Sequence, residues 1–244
     1  MGTKTDALLA DEAAIHEIDE LRPLIAEGQE RGFLTVEQIA SSLEEVEVTK
    51  EQVAELLLQA LETEKGGVEV YRTALKCARN EDLKGEWKEY LEQTRNHVKV
   101  VEGLCKAFGL DPGKETPGRK VVRHIGESLV QAMEMALSSG PPEAAELVAA
   151  ECVVHAETKD HMNWQLMGEI VAELSGPRLE AMKSAHDEVE EQEDEHLYHT
   201  MGWARELWIQ SLGMAAVLPP PEEKMDVKTM IGAARAKQAR KQLV

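Results

Sequence analysis

Residues 178–212 read RLEAMKSAHDEVEEQEDEHLYHTMGWARELWIQSL, and this stretch follows the chain breaker Ser175-Gly176-Pro177. Its composition and its flanking breaker predict one long α-helix. Near its centre stands Glu193-Asp194-Glu195-His196. Residues three apart on a helix share a face, so the Glu193 carboxylate and the His196 imidazole point the same way. Such a pair is a common ligand set for divalent cations, and this helix therefore guides both the fold prediction and the site prediction.

Three other long helices are predicted before this one, at about residues 49–80, 81–108 and 143–174, with an additional helix at 119–138. Short loops join the first long helix to the second and the third to the fourth, whereas about thirty residues separate the second from the third. A long central crossover distinguishes ferritin-like bundles from simple up-and-down bundles. The sequence therefore predicts an all-α chain with a ferritin-like four-helix bundle over residues 61–213.

Composition agrees with an all-α chain, because aromatic residues make up only 4 % of it and good helix formers dominate. No apolar run approaches the ~18 residues that span a bilayer, and the first residues lack a basic stretch followed by an apolar segment. A cytoplasmic location with no membrane contact is therefore expected. Cys77, Cys105 and Cys152 are far apart in helical patterns and are interpreted as buried thiols.

Inward-facing candidates for metal binding lie on each of the four long helices. Glu64 precedes Tyr71 by seven residues on an apolar face of the first helix, so its carboxylate is expected to point inward. In the third helix Glu157 shares a stripe with His161 and Trp164. The predicted metal ligands are Glu64, His97, Glu157, His161, Glu193 and His196. Catalytic residues are left unassigned.

The second helix departs from the E-x-x-H spacing, because Thr94 stands three residues before His97 where a glutamate would complete the pair. The site is therefore expected to be one carboxylate short, with Glu102 or His161 as a substitute. Each histidine taken singly is better explained as a core or surface residue, and it is the combination on four helices that favours a metal site. The remaining histidines singled out as structural are His124, His155 and His199, and Glu188, Glu190, Glu191 and Glu195 are interpreted as a solvated face.

The combination of Glu64 with Tyr71, His97, Glu157, and Glu193 with His196 resembles the ferritin-like superfamily of rubrerythrin and bacterioferritin over about residues 55–213. This resemblance implies a di-iron, di-manganese or mixed-metal site that reacts with oxygen or peroxide, in the context of oxidative or metal stress. Iron or manganese is the cofactor it implies. The family pattern has a glutamate where this chain has Thr94, so the resemblance leaves open whether the ligand set is complete. A homodimer is a further hypothesis.

Charge is distributed unevenly along the chain. Residues 1–60 hold 14 acidic and 4 basic side chains, a net charge of −10, whereas residues 224–244 carry a net charge of +5. Pro219-Pro220-Pro221 introduces that basic tail, so residues 214–244 are interpreted as a stiff linker followed by an amphipathic basic segment. The acidic segment repels phosphates, so strong direct nucleic-acid binding is not expected, whereas a basic groove on a partner suits it.

Residues 21–39 read LRPLIAEGQERGFLTVEQI, and the run Leu-Ile-x-x-Gly-x-x-x-Gly-aromatic-Leu-Thr within them precedes a short helix, an acidic segment and a third helix. This pattern resembles region 1.1, the acidic N-terminal region of bacterial primary sigma factors, over about residues 18–62. The resemblance implies a small three-helix acidic module in residues 1–60 that occupies the basic channel of RNA polymerase as a DNA mimic. Nothing in the chain resembles the promoter-reading helices of those factors.

Three functions are consistent with these features. The first is a ferritin-like metal protein whose acidic module tethers it to RNA polymerase or another basic protein surface. The second is a regulator without enzymatic activity, in which the bundle is a scaffold and residues 18–62 bind the partner. In the third, the basic tail holds the acidic segment of its own chain or docks elsewhere. Whether the protein is an enzyme stays open at this stage.

Overall fold

The computed structural model describes residues 26, 29, 31–33 and 50–224. The chain divides into two compact units, Met1–Lys50 and Glu51–Val244. In the first unit Ala26, Gln29 and Arg31 are helical, and Gly32 follows with a φ of 79°, a left-handed conformation that ends helices and favours glycine. The other predicted helices of residues 1–48 and the basic tail beyond residue 224 lie outside the described residues.

The described part of the second unit consists of helices and their connections, which confirms the all-α class for these residues. None of its helices combines the length and the apolar character needed to cross a bilayer. The helices are α1 Lys50–Cys77, α2 Glu81–Ala107, α3 Pro117–Ser139, α4 Pro142–Val171, α5 Gly176–Ser211 and the short α6 Pro221–Lys224.

The helix ends follow from local sequence. The Asn80 side chain accepts hydrogen bonds from the backbone of Asp82 and Leu83, which caps the start of α2. Thr116 caps α3 in the same way, and Pro117 follows at the first helical position, where its missing N–H costs nothing. After α2, Gly109 has a φ of 71°, a left-handed conformation that stops the helix.

Each pair of sequential long helices is antiparallel. In the α1–α2 pair, Glu64 lies 3.7 Å from His97, whereas the later Tyr71 packs edge-to-face against the earlier Tyr90 with ring centroids 6.1 Å apart. In the α4–α5 pair, Glu151 bonds Trp208 while Glu157 lies 3.6 Å from the earlier His196. Short connections between packed helices produce this arrangement.

Contacts between the two pairs complete the topology. α2 meets α5 through Gln93 with His196 and Glu86 with Trp203, again in antiparallel order. Consequently α2 and α4 run in the same direction, and the chain must cross the length of the molecule between them. α3 makes that crossing and lies alongside α1, where a Cβ on Gly126 would meet the Gly66 backbone at 3.6 Å.

The core draws on all five long helices. Fully buried side chains within one apolar cluster include Tyr71, Trp87, Met133, Val153 and Trp203, one from each helix in order. Burying a large side chain of this kind stabilises the fold by about 1.5–3 kcal/mol. Cys77, Cys105 and Cys152 are free and buried, which confirms their interpretation as buried thiols.

A buried ion-pair network fixes α3 on α1. The Arg119 guanidinium donates to Glu62 over 2.6 Å, and Arg123 donates to the other oxygen of the same carboxylate, also over 2.6 Å. Arg119 also bonds the backbone carbonyls of Pro112 and Lys114 just before the helix. Because the buried carboxylate is fully paired, the crossover helix has one defined position beside α1.

Candidate metal centre

Six ionisable side chains from four helices meet in the interior of the second unit. Each helix contributes from its middle portion, where the side chain is shielded on all sides, and all six are at most 4 % exposed. They are Glu64 of α1, His97 of α2, Glu157 and Asp160 of α4, and Glu193 and His196 of α5. The structure thus brings together five of the six residues that sequence reasoning named.

The two imidazoles face the carboxylates through the same ring nitrogen. His97 Nδ1 lies 2.9 Å from Glu193 Oε1 and 3.7 Å from Glu64 Oε2. His196 Nδ1 lies 3.6 Å from both Glu157 Oε2 and Glu193 Oε1. Neither nitrogen is aligned for a hydrogen bond with any of these oxygens, and both are sealed from solvent. The Nδ1 atoms of both rings therefore face one shared space.

Two glutamines hold the opposite side of each ring. His97 Nε2 lies 2.8 Å from Gln192 Oε1, and His196 Nε2 lies 2.7 Å from Gln93 Oε1. Because an amide oxygen only accepts hydrogen bonds, each Nε2 is the protonated nitrogen of its ring. This leaves Nδ1 as the atom that can bind a cation, as outer partners do for metal-ligating histidines.

The ligand atoms divide into two groups with one common member. His97, Glu193 and His196 offer atoms within 4.8 Å of one another, and so do Glu64, Asp160 and Glu193. The first group contains two nitrogens and one oxygen, whereas the second contains oxygens alone. Glu193 belongs to both groups, so a carboxylate at this position is placed to bridge two cations.

Four buried carboxylates repel one another when no cation lies between them. Burial and the nearby carboxylates raise the pKa of Glu157 to about 8 and that of Glu193 to about 7. Burial and the charges of Glu64, Glu193 and Glu157 also raise the pKa of Asp160 well above its ordinary value. Two divalent cations would balance four negative charges, so the donor set fits a two-metal centre.

The two histidines differ in their electrostatic surroundings. Burial lowers the pKa of His97, but the adjacent Glu193 and Glu64 carboxylates outweigh that effect and raise it to about 11. Burial dominates at His196 and lowers its pKa to about 4. The protein without metal therefore holds one imidazolium among the carboxylates, a single positive charge that compensates only part of their repulsion.

Asp160 supplies the carboxylate that sequence reasoning expected to be missing. A glutamate at position 94 of the second helix would have completed the expected set, whereas the fourth carboxylate comes from α4, three residues after Glu157. The spacing Glu157-Thr158-Lys159-Asp160 would have revealed it, since residues three apart share a helix face. The expectation of a site one carboxylate short is therefore corrected.

Close packing explains why position 94 carries no glutamate. A Cβ on Gly67 would lie 3.3 Å from the Thr94 methyl group, so α1 and α2 approach closely at this level. The Thr94 hydroxyl donates back to the Tyr90 carbonyl over 2.8 Å and is satisfied within its own helix. A long acidic side chain at position 94 would have to displace α1.

His161 does not join the central cluster, although it was a predicted ligand. Its Nδ1 lies 3.4 Å from Asp194 Oδ1, and its ring packs on Tyr198. One residue corresponds to about 100° of rotation around a helix, so with Asp160 facing inward His161 turns towards the flank of α5. Glu102, the other proposed substitute, forms an ion pair with Lys65 at the surface.

A segment of α2 and a segment of α5 share the same sequence pattern. Glu92-Gln93-Thr94-Arg95-Asn96-His97 in α2 matches Glu191-Gln192-Glu193-Asp194-Glu195-His196 in α5 as E-Q-x-x-x-H. Each glutamine bonds the histidine of the other helix, so the two segments form a reciprocal pair. Sequence reasoning missed both glutamines because it aligned only glutamate and histidine.

The same correspondence extends to α1 and α4. Glu64 precedes Tyr71 by seven residues, and Glu157 precedes Trp164 by seven. The Trp164 indole donates to Glu64 over 2.9 Å, while the Tyr71 hydroxyl faces the Glu157 carboxylate. The Trp164 hydrogen bond orients the Glu64 carboxylate, whereas the Tyr71 hydroxyl lies beside Glu157 without an aligned hydrogen bond.

Replacing Asp160 by Asn is expected to stabilise the protein in the absence of metal. The folded state raises the pKa of Asp160, so its charged form costs stability that grows as the pH rises above the ordinary carboxyl pKa. We expect a gain of about 1 kcal/mol or more at pH 7.5 and a smaller gain at pH 5, because one pKa unit corresponds to about 1.4 kcal/mol. Urea unfolding at both pH values measures it.

Asp187→Asn is the matched control for this prediction, because Asp187 is an exposed residue of α5. That variant should leave the free energy of unfolding unchanged at either pH. A loss of stability in Asp160→Asn, with the control unchanged, would mean that the carboxylates do not repel one another as the structure indicates.

Comparison with family models gives a match to part of the chain. The family model of sigma-70 factor, region 1.1, matches residues 16–93. No curated protein and no solved structure matches the chain. The match confirms the predicted resemblance of the N-terminal part to region 1.1. It extends further than predicted, because the matched segment continues through α1 and into α2 and so includes Glu64.

Proposed function

We propose that this protein is a ferritin-like metal-binding protein of the di-iron or di-manganese type, with a region 1.1-like module that binds a partner. The observation that carries the proposal is the meeting of four carboxylates and two imidazoles, buried and with unsatisfied ligand atoms, from four helices. The helix directions and the long crossover between α2 and α4 support the bundle type.

The two ligand groups favour different cations. Imidazole nitrogens suit iron, whereas an all-oxygen set suits manganese, so the His97 side of Glu193 would hold iron and the Asp160 side iron or manganese. Such cations would supply redox chemistry towards oxygen or peroxide when bound. The chain's own contribution is to orient each ligand: the glutamines fix the imidazoles, and Trp164 fixes Glu64.

Calorimetric titration of the metal-free protein with Mn²⁺, and with Fe²⁺ under anaerobic conditions, tests the metal proposal. One or two tightly bound ions per chain are expected, and the double variant Glu193→Ala, His196→Ala should lose them. His186→Ala, Glu190→Ala is the matched control, because this Glu/His pair lies on the same helix outside the cluster. Equal binding in both double variants would contradict the proposal.

The region 1.1-like module supplies the partner-binding function in this proposal. Its support is the family match over residues 16–93 and the net charge of −10 in residues 1–60. An acidic surface of this kind fits a basic groove such as the main channel of RNA polymerase, and such a partner implies a cytoplasmic location. Electrostatic association of this type accelerates encounter and weakens as salt is added.

Reversing three charges of the module is expected to weaken this association. The variant Glu27→Lys, Glu30→Lys, Glu37→Lys should bind core RNA polymerase at least about tenfold more weakly at low salt, because each reversal replaces attraction by repulsion. The dependence of affinity on salt should also become shallower. Fluorescence anisotropy of the labelled full chain, measured over a salt series, gives both quantities.

A matched charge reversal in the second unit serves as the control. Glu127, Glu134 and Glu173 are exposed, so Glu127→Lys, Glu134→Lys, Glu173→Lys changes the net charge by the same amount. This variant should retain most of the affinity. Equal weakening by both triple variants would show that only the overall charge matters, and no binding by the unaltered protein would remove the polymerase proposal.

The alternative function is a regulator without enzymatic activity, in which the helices of the second unit are a scaffold. The family match over residues 16–93 favours this alternative, because the match covers the part of the chain that is proposed to bind the partner. The two proposals differ in the metal titration: a scaffold would bind the polymerase in a salt-dependent way and bind no metal tightly.

A further inference from the structure

A cavity of about 60 Å³ lies between α1, α3 and α4. Apolar side chains form most of its wall, and the larger ones are Val70, Val122, Ile125 and Leu129. The polar residues of the lining are Glu62, Thr63, His155 and Lys159. None of these residues belongs to the central cluster, so the cavity calls for a separate explanation.

Glycines at the contact between α1 and α3 leave this space open. Gly66, Gly67 and Gly126 all line the cavity, and a Cβ on Gly126 would meet the Gly66 backbone at 3.6 Å. A water molecule needs about 10–15 Å³ of such space, so the cavity holds about four or five non-hydrogen atoms. An apolar wall holds water poorly and accepts small apolar groups instead.

Lys159 is the feature of this cavity that points to a charged ligand. Its side chain is partly buried, and its ammonium group donates to the side-chain oxygen of Asn163, one turn later on α4. The neighbouring Asp160 faces the central cluster, and no carboxylate of the described residues forms an ion pair with Lys159. An ammonium group has three N–H donors, so this one retains donors for an anion.

Hydrogen bonds fix the end of the cavity at which this ammonium group lies. Asn163 donates to the Thr63 hydroxyl over 3.1 Å, and Thr63 donates to the Gln59 carbonyl over 2.9 Å. Lys159 is therefore held at the Thr63 end. Val70 lies seven residues further along α1, a distance of about 10 Å in a helix. The cavity thus has one cationic end and one apolar end.

The acidic residue of the lining does not neutralise Lys159. Glu62 accepts hydrogen bonds from the Arg119 and Arg123 guanidinium groups, each over 2.6 Å, so both of its oxygens are already paired. A partly buried cation beside an apolar wall gains most from an anionic partner that also excludes water. The lining therefore suits a molecule with one negative charge and an apolar body.

We propose that this cavity binds the anion of a short-chain fatty acid. The carboxylate pairs with the Lys159 ammonium group, and the alkyl chain lies between Val70 and Leu129. A purely apolar molecule would leave the ammonium group without an anion, and inorganic phosphate would leave the apolar wall unfilled. The site does not depend on whether the central cluster binds metal, because the two share no residue.

Binding of hexanoate to the full chain, followed by NMR of the ligand, tests this proposal. Hexanoate should bind at least about fivefold more tightly than 1-hexanol or hexylammonium, because only the carboxylate forms a charge-assisted hydrogen bond with Lys159. Lys159→Met removes the charge and should abolish the preference for hexanoate over 1-hexanol. Lys99→Met is the matched control, because Lys99 is exposed on α2, and it should keep that preference.

A second variant fills the apolar end of the cavity. Leu129→Trp should weaken the binding of both hexanoate and 1-hexanol at least about tenfold, because the larger side chain occupies the space of the alkyl chain. Leu137→Trp, at an exposed position of the same helix, should leave both affinities unchanged. Leu129→Trp should also leave Mn²⁺ binding unchanged, which separates this proposal from the metal proposal.

Two results would overturn the proposal: no saturable binding of hexanoate by the unaltered protein at millimolar concentration, or equal hexanoate affinity in the unaltered protein, Lys159→Met and Leu129→Trp. Far-UV circular dichroism of each variant checks that the helices are intact. If a variant does not fold, the three ligands are compared on the unaltered protein, where equal affinity for hexanoate, 1-hexanol and hexylammonium would also overturn it.

Discussion

Addition of Mn²⁺ to the metal-free protein is expected to raise its free energy of unfolding by about 2.7 kcal/mol for each tight position at an ion concentration a hundred times the Kd. Glu193→Gln should remove most of this gain. Glu193 belongs to both ligand groups, so a neutral amide there removes a charge and a ligand from each position. Urea unfolding with and without Mn²⁺ measures the difference.

Glu190→Gln is the control for this expectation, because Glu190 is an exposed residue of the same helix, three positions before Glu193. It should be stabilised by Mn²⁺ as strongly as the unaltered protein. If Glu193→Gln retained the full gain, the ion would bind somewhere other than the central cluster. If neither protein gained stability, the cluster would not bind Mn²⁺ when folded.

Gln93→Leu and Gln192→Leu are each expected to weaken tight metal binding by about 10–100-fold, as loss of an outer hydrogen bond to a ligand histidine does. Neither glutamine offers an atom to the cation, because each bonds the far nitrogen of an imidazole. Without that bond the ring is free to turn or to change tautomer. Competition with a chelator of known affinity measures the change.

Conservative replacements separate this orienting role from simple packing. Gln93→Glu and Gln192→Glu keep an oxygen acceptor for the Nε2–H group and should retain most of the affinity, whereas the leucine variants should not. The two leucine variants should also behave alike, because the two glutamines occupy equivalent positions in the E-Q-x-x-x-H segments. Undiminished affinity in both leucine variants would contradict the assignment of Nδ1 as the ligand atom.

Much of the fold follows from local sequence rules. The helices predicted at about residues 81–108 and 143–174 end at Ala107 and Val171, close to the predicted positions. The length of the connection after α2 predicted that a crossover helix would return the chain, since a short loop cannot join two helices that run in the same direction. The roles of Gly66 and Gly67 could not be predicted from the sequence. Gly66 lies close to α3 and Gly67 lies close to Thr94, and both contacts depend on tertiary packing.

The candidate site was predictable where one helix face defined it. Glu64, Glu157, Glu193 and His196 lie on the inward faces of their helices, and helical spacing identified them. Asp160 was missed because the search was for a glutamate or histidine at a family position. Whether Asp160 or its neighbour His161 faces the central cluster depends on how α4 is rotated about its axis relative to α5. The sequence spacing alone does not determine this rotation.

For the N-terminal part, the family resemblance was predictable from the sequence, but its extent along the chain was not. Its resemblance to region 1.1 was recognisable from a short run of residues around Gly28 and Gly32, and the family match confirms it. The extent of the match was not predictable in the same way, because α1, Lys50–Cys77, passes through the boundary expected at residue 60 without a break, and the matched segment continues to residue 93.

Metal analysis by plasma mass spectrometry, on freshly purified protein that has met no chelator, tests the central claim most directly. The unaltered protein and the His186→Ala, Glu190→Ala variant should each carry about one or two iron or manganese ions per chain. The Glu193→Ala, His196→Ala variant, prepared identically, should carry almost none after gel filtration. Metal-free unaltered protein with intact helices would contradict the account and leave the scaffold function as the one to pursue.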